Sequence, residues 1–263
     1  MLYARLLTAA IALPPLIWLL CCASSGLFSL VLLLCSALAL YEYFLLIQTR
    51  LSFSSLWGIG WGMLVSGSVL FYPFSVVGFA IVSGLLVVFL LSLKDLQPSQ
   101  GLLSVSDTLF GVIYVGFLVP HIALLRHGPD GMGWTFFVFL VAMLGDTAGY
   151  VVGRQWGKHK LIPHISPGKT IEGSVGSVVG NLCGASIAWV WFLPQRTLFE
   201  LLCVGLVAGT LAQVGDLCES AIKRAFGAKD SGHLFPGHGG ILDRLDSLLF
   251  PAAFIYYYER IWS

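Results

Sequence analysis

The stretch "LFSLVLLLCSALALYEYFLLI" runs from Leu27 to Ile47. Its 21 residues include a single acid or base, Glu42. A bilayer's hydrocarbon core, about 30 Å thick, is crossed by roughly 20 apolar residues in a helix rising 1.5 Å per residue. The stretch therefore has the length and composition of a membrane span. It is continuously apolar, whereas a strand of a membrane barrel alternates.

Outward from this run the same pattern recurs. It predicts nine spans, at roughly 5–23, 27–47, 55–72, 75–93, 104–125, 133–152, 174–193, 198–218 and 244–262. Charged residues make up 10% of the 263-residue chain, against about 25% in soluble domains. So few charges cannot cover a soluble globule of this length. An all-α polytopic membrane protein is expected, with residues 1–100 forming about four N-terminal spans. Residues 101–263 form a second region with two long connections, 153–173 and 219–243. The first span reads as a retained helix, because "LLCCASS" lacks a small-x-small cleavage site. Cys21, Cys22, Cys35, Cys183, Cys203 and Cys218 lie in or beside apolar runs without a CxxC pair. They read as packing residues, not as a disulfide framework or a zinc site.

The basic residues orient the chain. Nine spans place Arg5, Arg50, Lys94, Arg154, Lys158, Lys160, Lys169, Lys223, Arg224, Lys229 and Arg244 on one side, 11 of the 14. Arg126, Arg196 and Arg260 fall on the other. The asymmetry predicts a cytoplasmic N-terminus, two cytoplasmic long connections and an outer C-terminus.

Acids inside spans are costly and mark function. Glu42, Asp107, Asp146, Asp216, Glu219, Asp243 and Asp246 all fall toward the cytoplasmic ends of their helices. Glu42 and Asp107 suit interfacial snorkelling as well as a cavity. Asp216, Asp243 and Asp246 are too short to snorkel far and converge beside one connection. Asp243 and Asp246 are i, i+3, as are Asp216 and Glu219, so each pair shares a helix face. Such carboxylates share protons or hold hard cations such as Mg²⁺. Lys223, Arg224, Lys229 and Lys169 surround them, with Gly232, Gly237, Gly239 and Gly240. Acids for a metal, cations for phosphate and glycines for close backbone approach are the kit of phosphoryl or nucleotidyl transfer. "SPGKT", 166–170, ends like a P-loop, but Pro163 stands where that motif needs glycine and no strand is expected before it. The histidines do not make a zinc pattern; His238, between glycines, is placed to reach a phosphate or leaving group.

The segment "SAIKRAFGAKDSGHLFPGHGGILDRLD", Ser220 to Asp246, resembles the signature of the phosphatidate cytidylyltransferases, or CDP-diacylglycerol synthases. Serine, Lys-Arg, Lys-Asp, Pro-x-His-Gly-Gly and Asp-Arg-x-Asp are all met over 27 residues. "GDTAGYVVGRQWGKHKLIPHISPGKTIEG", Gly145 to Gly173, and "GDLCES", Gly215 to Ser220, are similar to further family blocks. Gly149 is an extra residue there, and Gly168-Lys169 stands where many members carry two lysines. The resemblance covers the C-terminal half.

The resemblance implies transfer of cytidylyl from CTP to phosphatidic acid, giving CDP-diacylglycerol and pyrophosphate for phospholipid synthesis. It also implies Mg²⁺ and a homodimer. The basic asymmetry faces the site to the cytoplasm, and the short chain suggests a bacterial inner membrane; one Mg²⁺, two, or Mg²⁺ with a monovalent cation all fit the expected ligands. No nucleic-acid partner is expected. Asp216, Asp243 and Asp246 are the expected metal ligands, with Asp146 a fourth. Lys223, Arg224 and His238 join the three as catalytic residues. Lys169, Ser166, Thr170, Lys229, Asp230, Gly239, Gly240 and Arg244 are the expected substrate-binding residues, with Glu172 either binding or fixing its loop. Two alternatives stand beside this reading: a CTP-dependent enzyme for another lipid phosphate, and a cation or proton transporter.

Overall fold

The computed structural model describes residues 14–48, 52–93, 97–232, 234 and 239–262. Residues 14–22 are helical (α1); residues 5–13 of the expected first span lie outside the described residues, as do Arg5, Arg50 and Lys94. The helices that follow are α2 (Ser25–Gln48), α3 (Phe53–Phe71), α4 (Phe74–Ser92) and α5 (Pro98–Gly111). A π-helical segment, Val112–Phe117, joins α5 to α6 (Pro120–His127). Then come α7 (Gly131–Trp156), α8 (Ile171–Trp191), α9 (Leu198–Ala225) and α10 (Leu242–Trp262). Every expected span from 27 onward is therefore a helix, and among the described residues seven segments are long and apolar enough to cross a membrane. Helix α10 has 21 residues, but Asp243, Arg244 and Asp246 at one end and Glu259 and Arg260 at the other make it the more polar one. Leu30, Leu34 and Leu38 of α2, and Phe79, Val82 and Leu86 of α4, form exposed apolar stripes that lipid, not water, would solvate.

The connections differ from expectation in two places. Helix α7 runs on to Trp156 and α9 to Ala225, so Lys223 and Arg224 stand on the last turn of α9. Residues within 153–173 also form an antiparallel hairpin, β1 (Lys160–Ile162) with β2 (Ser166–Thr170). Lys160 lies opposite Thr170 and Ile162 opposite Ser166. A strand thus does precede the Gly168-Lys169-Thr170 triplet. The triplet is itself extended and paired, however, so its backbone is not a loop wrapped for a phosphate. Thr170 closes the hairpin and caps α8, its hydroxyl accepting from Gly173 N at 3.1 Å.

The chain folds as two compact units. The first is built on 23–123 and 230–243, and the second on 16–22, 124–229 and 244–263. In the first, α2, α3, α4, α5 and the π segment surround Leu40, Phe44, Val65, Val112 and Val115. Polar side chains are satisfied within that packing, as buried groups require. Trp61 Nε1 donates to Ala80 O at 2.9 Å, Ser66 Oγ to Gly116 O at 2.7 Å and Tyr43 Oη to Asp107 O at 2.9 Å.

In the second unit, α7 and α8 pack along a seam of small residues. Gly173, Gly176, Gly180 and Gly184 of α8 face Gly149 and Gly153, Val152, Ala148 and Leu140 of α7 respectively. A Cβ on Gly180 would stand 2.7 Å from Ala148 Cβ. Small residues at these intervals let membrane helices approach closely, where no hydrophobic force separates helix from lipid. Gly149, the extra residue of the sequence block, belongs to this seam and lies against Ser177.

Candidate active site

Three helices and one strand of the second unit bring charges together. Helix α7 carries Asp146, α9 carries Asp216, α10 carries Arg244 and Asp246, and β2 carries Lys169. The contact that sets this arrangement is Gly215. It lies directly against the main-chain carbonyl of Asp246, where a Cβ would collide, so the α9 and α10 backbones meet one residue before Asp216. Lys169 Nζ pairs with Asp216 Oδ2 at 2.8 Å, and Ser220 Oγ donates to Asp216 Oδ1 at 3.3 Å. Asp146 feels the charges of Asp216, Lys169 and Arg244. Asp246 feels those of Asp216, Lys223 and Asp146. Asp246 is only 8% exposed, and its Oδ1 accepts from Ser247 N at 2.7 Å.

One turn beyond Asp216, Glu219 and Lys223 form a buried i, i+4 ion pair. Lys223 is thus held by a carboxylate of its own helix. Arg224 donates from Nη1 to Ala228 O at 2.7 Å and from Nε to Ile165 O at 3.3 Å, tying the β1–β2 hairpin to the end of α9. Glu172 accepts from Lys158 N at 3.1 Å and His159 N at 3.2 Å, and pairs with His159 Nδ1 at 2.7 Å. Thr170 and Glu172 therefore both shape the hairpin's open end, where β1 begins and β2 passes into α8. Ser166 begins β2; Arg224, Lys229, Asp230 and Arg244 are exposed.

In the first unit, Asp243 organises the glycine-containing connection. Its Oδ2 accepts from Ser231 N at 2.9 Å, Ser231 Oγ at 2.8 Å and Gly240 N at 2.8 Å. Gly239 has φ +78°, a backbone region that side chains disfavour, and the Asp243 carboxylate fills the place a Cβ would take. His238 lies outside the described residues. Glu42 meets the same connection, accepting from Ile241 N and Leu242 N, each at 3.0 Å. It does not snorkel; it is 7% exposed.

Sequence reasoning left Glu42 and Ser231 without a role. A lone acid deep in an apolar run was the available signal for the first; nothing in local pattern marks the second. Among the described residues, no three His, Cys, Asp or Glu side chains already stand close enough together to hold a metal ion. The donor set of the second unit nevertheless fits a hard divalent cation in kind. It is all carboxylate, its members repel one another, and a lysine ammonium at present neutralises one of them.

A helical membrane protein that brings carboxylates of α7, α9 and α10 together with a lysine of the β1–β2 hairpin suits chemistry on a charged group beside a lipid surface. The sequence profile of the cytidylyltransferase family matches residues 3–262, and the chain belongs to that family. It is 45% identical over 143 residues to a phosphatidate cytidylyltransferase of Staphylococcus haemolyticus, strain JCSC1435, covering 54% of each chain. It is 43% identical over 142 residues to the protein of that name from Staphylococcus saprophyticus, again covering 54% of each. The chain thus spans about half the length of these curated relatives. An uncharacterized protein of Escherichia coli K12, YnbB, is 38% identical over 232 residues, 86% of this chain and 77% of that one.

Proposed function

We propose that this protein transfers a cytidylyl group from CTP to phosphatidic acid, giving CDP-diacylglycerol and pyrophosphate. The observation that carries the reading is the cluster of Asp146, Asp216 and Asp246 with Lys169 and Lys223, in a chain of the cytidylyltransferase family. A phosphate oxygen of phosphatidic acid attacks the α-phosphorus of CTP. The bond from that phosphorus to the β-bridging oxygen breaks, and pyrophosphate leaves with the electron pair. The nucleophile is already an anion near neutral pH, so no strong general base is needed.

Asp216 and Asp246, with Asp146 beside them, would hold Mg²⁺, which when bound neutralises charge on the transferring phosphates. Lys169 and Lys223 hold phosphate oxygens, and each already stands against a carboxylate that keeps it in place. Asp243 holds Gly240 and Ser231, so that Gly239 and Gly240 offer a close backbone approach. Ser166, Lys229, Asp230 and Arg244 line the substrates, with Arg224 fixing the hairpin that presents Lys169. The site faces the cytoplasm, where CTP is dissolved, of a bacterial inner membrane, and the protein is a homodimer. A transporter would distribute its acids through the bilayer depth; Asp146, Asp216 and Asp246 instead act on one another as a single group contributed by α7, α9 and α10.

The test is purified protein in detergent with labelled CTP, Mg²⁺ and a panel of lipid phosphates. Pyrophosphate release with phosphatidic acid is expected. Release only with another lipid phosphate would move the substrate assignment, and no release with any lipid would overturn the reading.

A further inference from the structure

We infer that Glu42, on α2, is a positioning residue that clamps the glycine-containing connection between α9 and α10. The inference rests on the proposed function for what the connection does, and on geometry alone for the clamp. Every contact concerned lies within the first compact unit.

Both carboxylate oxygens of Glu42 are committed to residues far along the chain. Oε1 accepts from Ile241 N at 3.0 Å, and Oε2 accepts from Leu242 N at 3.0 Å and from Ser231 Oγ at 3.2 Å. The first two donors are amides at the start of α10 that no helical carbonyl can serve. Gly232 and Gly240 close on the same carboxylate; a Cβ on Gly232 would stand 2.7 Å from Oε1, and one on Gly240 would also collide. Ser231 Oγ reaches Asp243 at 2.8 Å as well as Glu42. The two ends of the connection, 231–232 and 240–242, are thereby drawn to one buried acid. This explains an acid in an otherwise apolar span. A carboxylate there is costly unless donors surround it, and here backbone amides and a hydroxyl do. It also gives the N-terminal helices a task in the chemistry. They supply the fixed point against which the Gly239–Gly240 backbone is set.

The clamp is tested by hydrogen exchange and kinetics on the full chain in detergent, comparing wild type, Glu42→Ala, Glu42→Gln and Ser231→Ala. In Glu42→Ala, amides of residues 240–243 should exchange at least about tenfold faster, with peptides from 171–191 unchanged. The kcat for cytidylyl transfer should fall by about tenfold or more while KM for CTP stays within about threefold, the split expected when positioning rather than binding is lost. Glu42→Gln keeps the shape and one acceptor oxygen, so an intermediate effect is expected, and it carries the test if the alanine variant does not fold. Ser231→Ala removes only the bridging hydroxyl and should give the smallest change. Unchanged exchange at 240–243 would overturn the clamp. Faster exchange with unchanged kcat would overturn its positioning role. If wild type transfers nothing to any lipid phosphate, the proposed function falls, and the exchange arm still decides the clamp.

Discussion

Replacing Lys169 with methionine separates the candidate site's chemistry from its stability. The substitution removes one charge and keeps most of the side chain's length. The pair with Asp216 is 2.8 Å long, and its two side chains are 26% and 31% exposed. Partly exposed ion pairs contribute about 0.2–1 kcal/mol to stability. The melting temperature should therefore move by only a few degrees. A charge-assisted hydrogen bond from the ammonium to a phosphate oxygen is worth about 1.5–3 kcal/mol. At about 1.4 kcal/mol per factor of ten, its loss lowers kcat/KM by about 10- to 150-fold. The assay is pyrophosphate release at varied CTP and at varied phosphatidic acid, beside a thermal melt of the same preparations. A loss below about threefold in kcat/KM for both substrates would refute the phosphate contact.

Three further outcomes are expected. Asp246→Asn should abolish CTP-dependent conversion of phosphatidic acid while the protein still accumulates in the membrane; near-normal turnover would sink the metal-ligand assignment. Chelation of divalent cations should stop turnover, and added Mg²⁺ should restore it; full turnover in excess chelator would rule out the divalent requirement. Gly180→Val should overpack the α7–α8 seam, where Ala148 Cβ lies 2.7 Å from a Cβ on residue 180, costing about 1–3 kcal/mol. A melt equal to wild type would show that the seam relaxes freely.

Much of the fold was legible because the bilayer imposes a length on every span. The runs at 27–47, 55–72 and 75–93 needed only hydropathy, and the helices Ser25–Gln48, Phe53–Phe71 and Phe74–Ser92 follow them closely. Helix ends were less legible. Hydropathy stops near residue 218, yet α9 continues to Ala225, because Glu219 and Lys223 neutralise each other one turn apart and the polar turn remains helical. The hairpin was illegible because strands of three and five residues show too little alternation to be distinguished from a loop. In the site, Asp146, Asp216 and Asp246 could be listed together from topology, as acids at one end of their spans. That Gly215 brings α9 and α10 into backbone contact there could not, since a glycine in a span carries no address for its neighbour.

Composition and hydropathy by themselves determined a polytopic helical membrane protein, and the motif blocks carried the resemblance to the family and named the candidate acids and lysines. Those properties are local, since each span must satisfy the bilayer whatever its neighbours are. Only the tertiary structure decided which partners those charges take. Lys169 belongs to Asp216 and Glu42 to amides some 200 residues away, whereas the Lys223–Glu219 pair, four residues apart on one helix, is local. A buried carboxylate must find donors, but its own sequence neighbourhood is apolar, so the donors arrive only with the fold.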